Sequence, residues 1–257
     1  MLPKETLEKM ANYADKLKDI RFEELALKDQ YIRIGGLGYR SVSLNSKFPL
    51  CKYSERPIDD IDKLFNEFKG QPVPMAVEPA RKPERCLQRY IIKASLINNR
   101  NMITALALKD CPYDELIFAT DEVSLGDVRC DILAVGKVGE NYYPVIIELK
   151  SSRNKKELIG QLCDFSKTVK TYNTEFSNLL SCITGKSINT NNPQKIIVWP
   201  VAESEANKGE NVRFGSSFNA QKTRDEILSM TISLLEYDTF DNHKDHALFH
   251  QTWASFA

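Results

Sequence analysis

Residues 128–150 read VRCDILAVGKVGENYYPVIIELK, two apolar runs on either side of a short polar centre at Gly139 and Glu140. Val128–Val135 and Tyr143–Lys150 have the β-branched content and length of strands, and the glycine between them supplies a turn. Side chains alternate along a strand, so Val145, Ile147 and Leu149 share one face while Ile146, Glu148 and Lys150 share the other. If the hairpin is symmetric about Gly139/Glu140, paired positions sum to 279, which places Asp131 directly across from Glu148. Opposed side chains on one face have Cβ atoms ~5 Å apart. Two carboxylates therefore meet, with an ammonium two residues further on.

Like charges in that position repel unless a cation or a proton neutralises them. Hard oxygen ligands in small number suit Mg²⁺, which keeps several waters and takes the rest of its shell from carboxylates and substrate phosphates. Such an ion activates a water and offsets charge at phosphorus, a chemistry in which Lys150 would assist. Asp131, Glu148 and Lys150 are the candidate catalytic residues. Glu84 is a candidate third carboxylate, three residues before Leu87 on the inward stripe of the preceding helix, with Glu78 as a weaker substitute. An acid in a helix's first turn also has a purely structural use against the macrodipole.

Outward from the hairpin, Leu87, Tyr90, Ile91, Ala94 and Ile97 recur at helical spacing behind Pro83. Asp114–Thr120 reads as a strand. Asn154 with Glu157 forms a capping box for a helix whose stripe is Leu158, Leu162, Phe165, Val169 and Tyr172, and Lys195–Trp199 is a further strand closed by Pro200. Helix, three strands, helix, strand predicts an α/β core whose last crossover is parallel.

Upstream, residues 4–18 and 57–69 read as helices, and Tyr31–Ile34 and Tyr39–Leu44 as strands joined by Gly35-Gly36-Leu37-Gly38. That glycine cluster lacks the ending of a phosphate loop and the length of a dinucleotide fingerprint, so it reads as a hairpin turn. The loop 70–83 carries Pro72, Pro74, Pro79 and Pro83 and marks a boundary. The expected division is residues 1–80 as an α+β region for substrate selection or assembly, 81–200 as the core, and 201–257 as a loop and helical extension, with Thr223–Tyr237 helical.

The residues of the core resemble the PD-(D/E)xK nuclease superfamily. Asp131, a hairpin and Glu148-Leu149-Lys150 match its D…(D/E)-x-K signature, and Arg129-Cys130-Asp131-Ile132-Leu133 is similar to the R-x-D-x-L segment of its RecB-like and archaeal single-strand endonuclease branches. Gln161 stands where those branches carry Q-x-x-x-Y, with Phe165 in place of the tyrosine, and Cys130 replaces the signature's proline. The resemblance implies an α/β/α sandwich around a mixed sheet. It also implies Mg²⁺- or Mn²⁺-dependent hydrolysis of phosphodiesters, most readily of DNA. By the same resemblance Asp131, Glu148 and the Leu149 carbonyl hold metal, Lys150 assists the attacking water and Gln161 positions substrate or lysine. A non-catalytic nucleic-acid-binding or assembly module, or a phosphoesterase for a smaller nucleotide, are the rival readings.

Charge is balanced overall at 35 basic and 35 acidic residues, but it is not even. Residues 81–200 carry 17 Lys+Arg against 13 Asp+Glu, and Arg153, Lys155, Lys156, Lys167 and Lys170 are candidate phosphate contacts. The three histidines, His243, His246 and His250, fall on one face if the tail is helical, a spacing that could hold zinc or nickel. The six cysteines are scattered without a C-x-x-C pair and are expected to be reduced packing residues. No apolar run approaches the ~18 residues of a membrane span, and the start lacks a secretory signal. The expectation is a cytoplasmic protein, not membrane-bound, with homo-oligomerisation left open.

Overall fold

The computed structural model describes residues 2–45, 83–150, 155–201, 220–237 and 247–255. The chain begins with α1 (Pro3–Lys16), α2 (Phe22–Leu27) and a two-stranded hairpin of β1 (Gln30–Gly35) and β2 (Gly38–Ser43). Next come α3 (Pro83–Ile97), α4 (Met102–Ala105), and the strands β3 (Glu115–Leu125), β4 (Val128–Val138) and β5 (Asn141–Leu149). Helices α5 (Lys155–Thr171) and α6 (Asn173–Thr184) lead to β6 (Gln194–Pro200), then α7 (Ala220–Ser229), β7 (Ile232–Tyr237) and β8 (Phe249–Thr252).

The chain is a mixed α/β protein built on a six-stranded mixed sheet, ordered β3-β4-β5-β6-β7-β8. The β3-β4-β5 meander is antiparallel, β5-β6-β7 is parallel, and β8 returns antiparallel on the edge. The parallel β5-β6 step is the one expected from a strand, two helices and a strand in succession. The β4-β5 register runs from Val138↔Asn141 to Ile132↔Ile147, and every pair sums to 279, as symmetry about Gly139/Glu140 requires. Gly139 adopts φ +57°, a turn conformation that a Cβ would strain.

Both faces of the sheet are covered. Leu133, Val135, Ile146, Ile197, Trp199 and Leu234 pack under α1, α5 and α6 through Leu7, Met10, Leu158, Leu162, Phe165 and Phe176. The alternate residues Ile132, Ala134, Val145, Ile147, Ile196 and Val198 pack against Leu87, Ile91, Ile92 and Leu96 of α3. The period-2 pattern of the strands and the period-3.6 stripes of the helices therefore meet in two apolar layers.

The amino-terminal elements join both layers, with Ile32, Ile34 and Tyr39 in the first and Tyr31, Val42 and Leu44 in the second. The helix expected at 57–69 and nearly all of the proline-rich loop lie outside the described residues.

The carboxy-terminal extension departs from expectation. Instead of one helix over Thr223–Tyr237, α7 ends at Ser229, Thr231 takes φ +55°, and Ile232–Tyr237 becomes a strand with all six residues buried. A short run buried on both sides has no alternation to distinguish it from helix, which is why periodicity misassigns it. The extension thus completes the sheet and is not a helical tail. His250 lies in β8, opposite Glu236, so the three histidines do not share one helix face; His243 and His246 lie outside the described residues. Of the five described cysteines, Cys86 and Cys130 are buried, Cys111 and Cys163 are half-buried and Cys182 is exposed, all as free thiols, while Cys51 lies outside the described residues. Among the described residues no helix is long and apolar enough to cross a membrane.

Candidate active site

The end of the sheet where β4 begins and β5 finishes gathers the candidate residues. Asp131 and Glu148 are the next positions beyond the last paired residues, Ile132 and Ile147. The Leu149 N–H donates to Asp131 Oδ2 at 2.8 Å, which turns the carboxylate across the gap toward β5. The two carboxyl groups come close enough to share a hydrogen bond. Lys150 Nζ is 3.5 Å from Glu148 Oε2, and its side chain keeps 19% of its exposure while that of Glu148 keeps 1%. The other oxygen, Glu148 Oε1, is buried with no hydrogen-bond partner. Two carboxyls and an ammonium thus converge with one acceptor left over.

The electrostatics follow from burial. Desolvation pushes the Glu148 carboxyl up to about 8, the Asp131 charge adds to that, and Lys150 works against it. Asp131 is also raised, first by burial, with the Leu149 N–H and Lys150 pulling the other way. Cys130, buried beside them, has its thiol pushed up by burial and then by both carboxylates. In this arrangement the pair retains a proton near neutrality unless a cation replaces it.

The Leu149 carbonyl is on the same side. Within a strand a residue's N–H and C=O point the same way, and the Leu149 N–H points at Asp131 while that of Lys150 binds Val198 O on β6 at 2.8 Å. Gln161 follows Leu158 by one helical turn on α5, and its Oε1 is likewise buried without a partner. Glu84 sits in the first turn of α3, where its charge raises the Tyr237 phenol, second only to burial. Tyr237 in turn donates its hydroxyl to Lys150 O at 3.1 Å. Glu84 therefore borders the site without joining the pair: among the described residues no three His, Cys, Asp or Glu side chains are grouped to hold a metal.

Of the expected basic contacts, Lys167 and Lys170 are not brought to the carboxyl pair. Lys167 and Lys170 are exposed, about 9 and 13 Å beyond Gln161 along α5 at ~1.5 Å per residue, and Lys167 pairs with Asp164 at 3.1 Å. They form a solvated helix face. Arg153 lies outside the described residues, as do the side chains of Lys155 and Lys156.

Two participants escaped the sequence reading. Glu122 falls between Asp121↔Ile132 and Val123↔Cys130, hence opposite Asp131 on the far side of β4, and it takes φ +51°, rare for a residue with a Cβ. Its charge adds to the rise at Asp131. Gln88 on α3 bridges the two, its Nε2 lying 3.1 Å from Asp131 O and 3.4 Å from Glu122 Oε1. The signal was present: symmetry about Gly126/Asp127 gives pairs summing to 253, and 122 with 131 is one of them. No family model, curated protein or solved structure matches the chain.

Proposed function

We propose that the protein is a metal-dependent nuclease that hydrolyses phosphodiester bonds, most readily of DNA, on a restriction-endonuclease-like α/β/α sandwich. The observation that carries this reading is the convergence of Asp131 and Glu148 beside Lys150, with Glu148 Oε1 buried and unsatisfied. A buried acceptor without a partner costs about 1–3 kcal/mol, and a perturbed carboxyl pair at the mouth of a sheet is the kind of site that selection retains for chemistry. The donor set is all oxygen and carries up to two negative charges, which fits Mg²⁺ or Mn²⁺ held by Asp131, Glu148 and the Leu149 carbonyl. When bound, such an ion lowers the pKa of a water and offsets charge gathering at phosphorus.

The chain's own groups have distinct parts. The Leu149 N–H fixes Asp131 in a single orientation, so the pair is organised before substrate arrives. Lys150, partly exposed and already in contact with Glu148, orients the attacking water and compensates phosphate charge. Gln161 offers its unpaired Oε1 as an acceptor for substrate or for the Lys150 ammonium. Tyr237 steadies the backbone carbonyl of Lys150, and the nearby Glu84 charge helps keep its phenol protonated.

The test is incubation of the purified chain with single-stranded, duplex and branched DNA in Mg²⁺ and in Mn²⁺, beside Glu148→Ala and Lys150→Ala. Cleavage lost in both variants supports the assignment. Cleavage undiminished in both overturns it.

A further inference from the structure

The turn that follows α3 presents a half-buried cation with no acid beside it. Arg100 takes φ +66° directly after Asn99 at +56°, and its backbone is tied to β3 because the Phe118 N–H donates to Arg100 O at 2.8 Å. Its Nη1 donates to Phe118 O at 3.2 Å and to Ala119 O at 3.0 Å, where the β3-β4 register shifts. The Phe22 ring covers the guanidinium at 4.7 Å. Those contacts engage one nitrogen and one face of the plane. Nε and Nη2 have no hydrogen-bond partner among the described residues, and no carboxylate there pairs with Arg100. Burial pulls the guanidinium below its ordinary range, with Tyr31 acting the other way.

Arg100 lines a cavity of about 320 Å³ between α2, α6 and the ends of α1 and α3. Leu17, Ile20, Phe22, Ile34, Leu96 and Ile183 give it apolar walls. Its other cations are matched: Arg21 Nη1 lies 2.6 Å from Glu24 Oε1, and Lys18 Nζ lies 3.4 Å from Asp15 Oδ1. Glu23, which is exposed, lines the same cavity. Apolar walls with one convergent charged group are the usual make-up of a small-ligand site.

We propose that this cavity binds a small monocarboxylate with an apolar body, its carboxylate on the Nε–Nη2 edge of Arg100 and its chain among Leu17, Ile20 and Ile183. That edge offers two parallel N–H groups, the fork that a carboxylate accepts with both oxygens. Phe22 and the two carbonyls hold the guanidinium in place before the ligand arrives, so little side-chain freedom is lost on binding. Glu23 repels a second negative charge, which selects a carboxylate over a phosphate dianion. The cavity shares no residue with Asp131, Glu148 and Lys150, so the proposal does not depend on the nuclease reading.

The experiment is equilibrium dialysis of radiolabelled octanoate against the full chain near neutral pH, with octanol and octyl phosphate as competitors. Octanoate should bind at one site, and Arg100→Gln should weaken it by roughly 10- to 100-fold, the range for losing a hydrogen bond to a charged group. Octanol and octyl phosphate should each compete at least about 10-fold less well than unlabelled octanoate. Because Arg100→Gln also gives up the bonds to Phe118 O and Ala119 O, the wild type is read a second way. Cys182 is exposed and lines the cavity, so saturating octanoate should slow its alkylation by iodoacetamide and leave that of Cys163 on α5 unchanged, followed by peptide mass spectrometry. Absence of octanoate binding, undiminished affinity in Arg100→Gln, or alkylation of Cys182 indifferent to octanoate overturns the proposal. Octanol or octyl phosphate competing as well as octanoate overturns the monocarboxylate assignment.

Discussion

Replacing Glu148 by glutamine should stabilise the protein at alkaline pH, and the size of the effect follows from the site. The Glu148 carboxyl titrates at about 8 in the folded chain against 4.5 for an ordinary glutamate. Between those values the native state keeps a proton that the unfolded state has released. Stability therefore falls as pH rises through this window, and the loss is complete above about 8. At ~1.36 kcal/mol per tenfold change in proton affinity, that window sets a ceiling of about 5 kcal/mol. Relaxation around the partly exposed Lys150 brings the expected figure to about 2–3 kcal/mol. Glutamine does not titrate, so Glu148→Gln escapes this loss. In EDTA the variant should match the wild type near pH 5 and exceed its Tm by roughly 5–10 °C near pH 9, for a chain of this size. Thermal denaturation followed by circular dichroism at several pH values measures the gap. Curves that stay parallel from pH 5 to pH 9 would refute a buried, proton-holding glutamate.

Three further outcomes follow from the same contacts. Mg²⁺ at about 100 times its dissociation constant should stabilise the wild type by about 2.7 kcal/mol near pH 8 and leave Glu148→Gln almost unmoved; equal shifts in both would place the ion elsewhere. Asp121→Ala strands the buried Arg33 cation and should cost about 3–5 kcal/mol in urea denaturation, whereas a loss below about 1 kcal/mol would show that the guanidinium finds water. Gly136→Ala drives a methyl group into the Tyr113 ring and to 3.0 Å from Val145 Cγ2, and should cost about 1–3 kcal/mol. An unchanged Tm in that variant would mean that the ring moves aside freely.

Much of the site was legible because it depends on a local rule. A tight hairpin leaves one register open once its turn is located, so Gly139 and Glu140 were enough to bring Asp131 to the level of Glu148. The inward stripes of α3 and α5 were equally local, since Leu87, Ile91, Leu158, Leu162 and Phe165 are all buried at the spacing read from the chain. The strand Ile232–Tyr237 was not legible, because a segment buried on both faces lacks the alternation that separates strand from helix. Glu122 could have been reached by the same pairing arithmetic about Gly126 and Asp127; its left-handed backbone could not.

The hairpin, its register and the alternation that sets Glu148 and Lys150 on one face depend on residues within a few positions of one another, and for that reason they can be read along the chain. Which elements surround that hairpin depends on how the whole chain packs. The seating of Arg33 against Asp121, the bridge from Gln88 to Asp131, and the reach of Tyr237 to Lys150 each join residues that are distant along the chain. Such contacts exist because burying two apolar layers forces those elements together, and no local pattern encodes that packing.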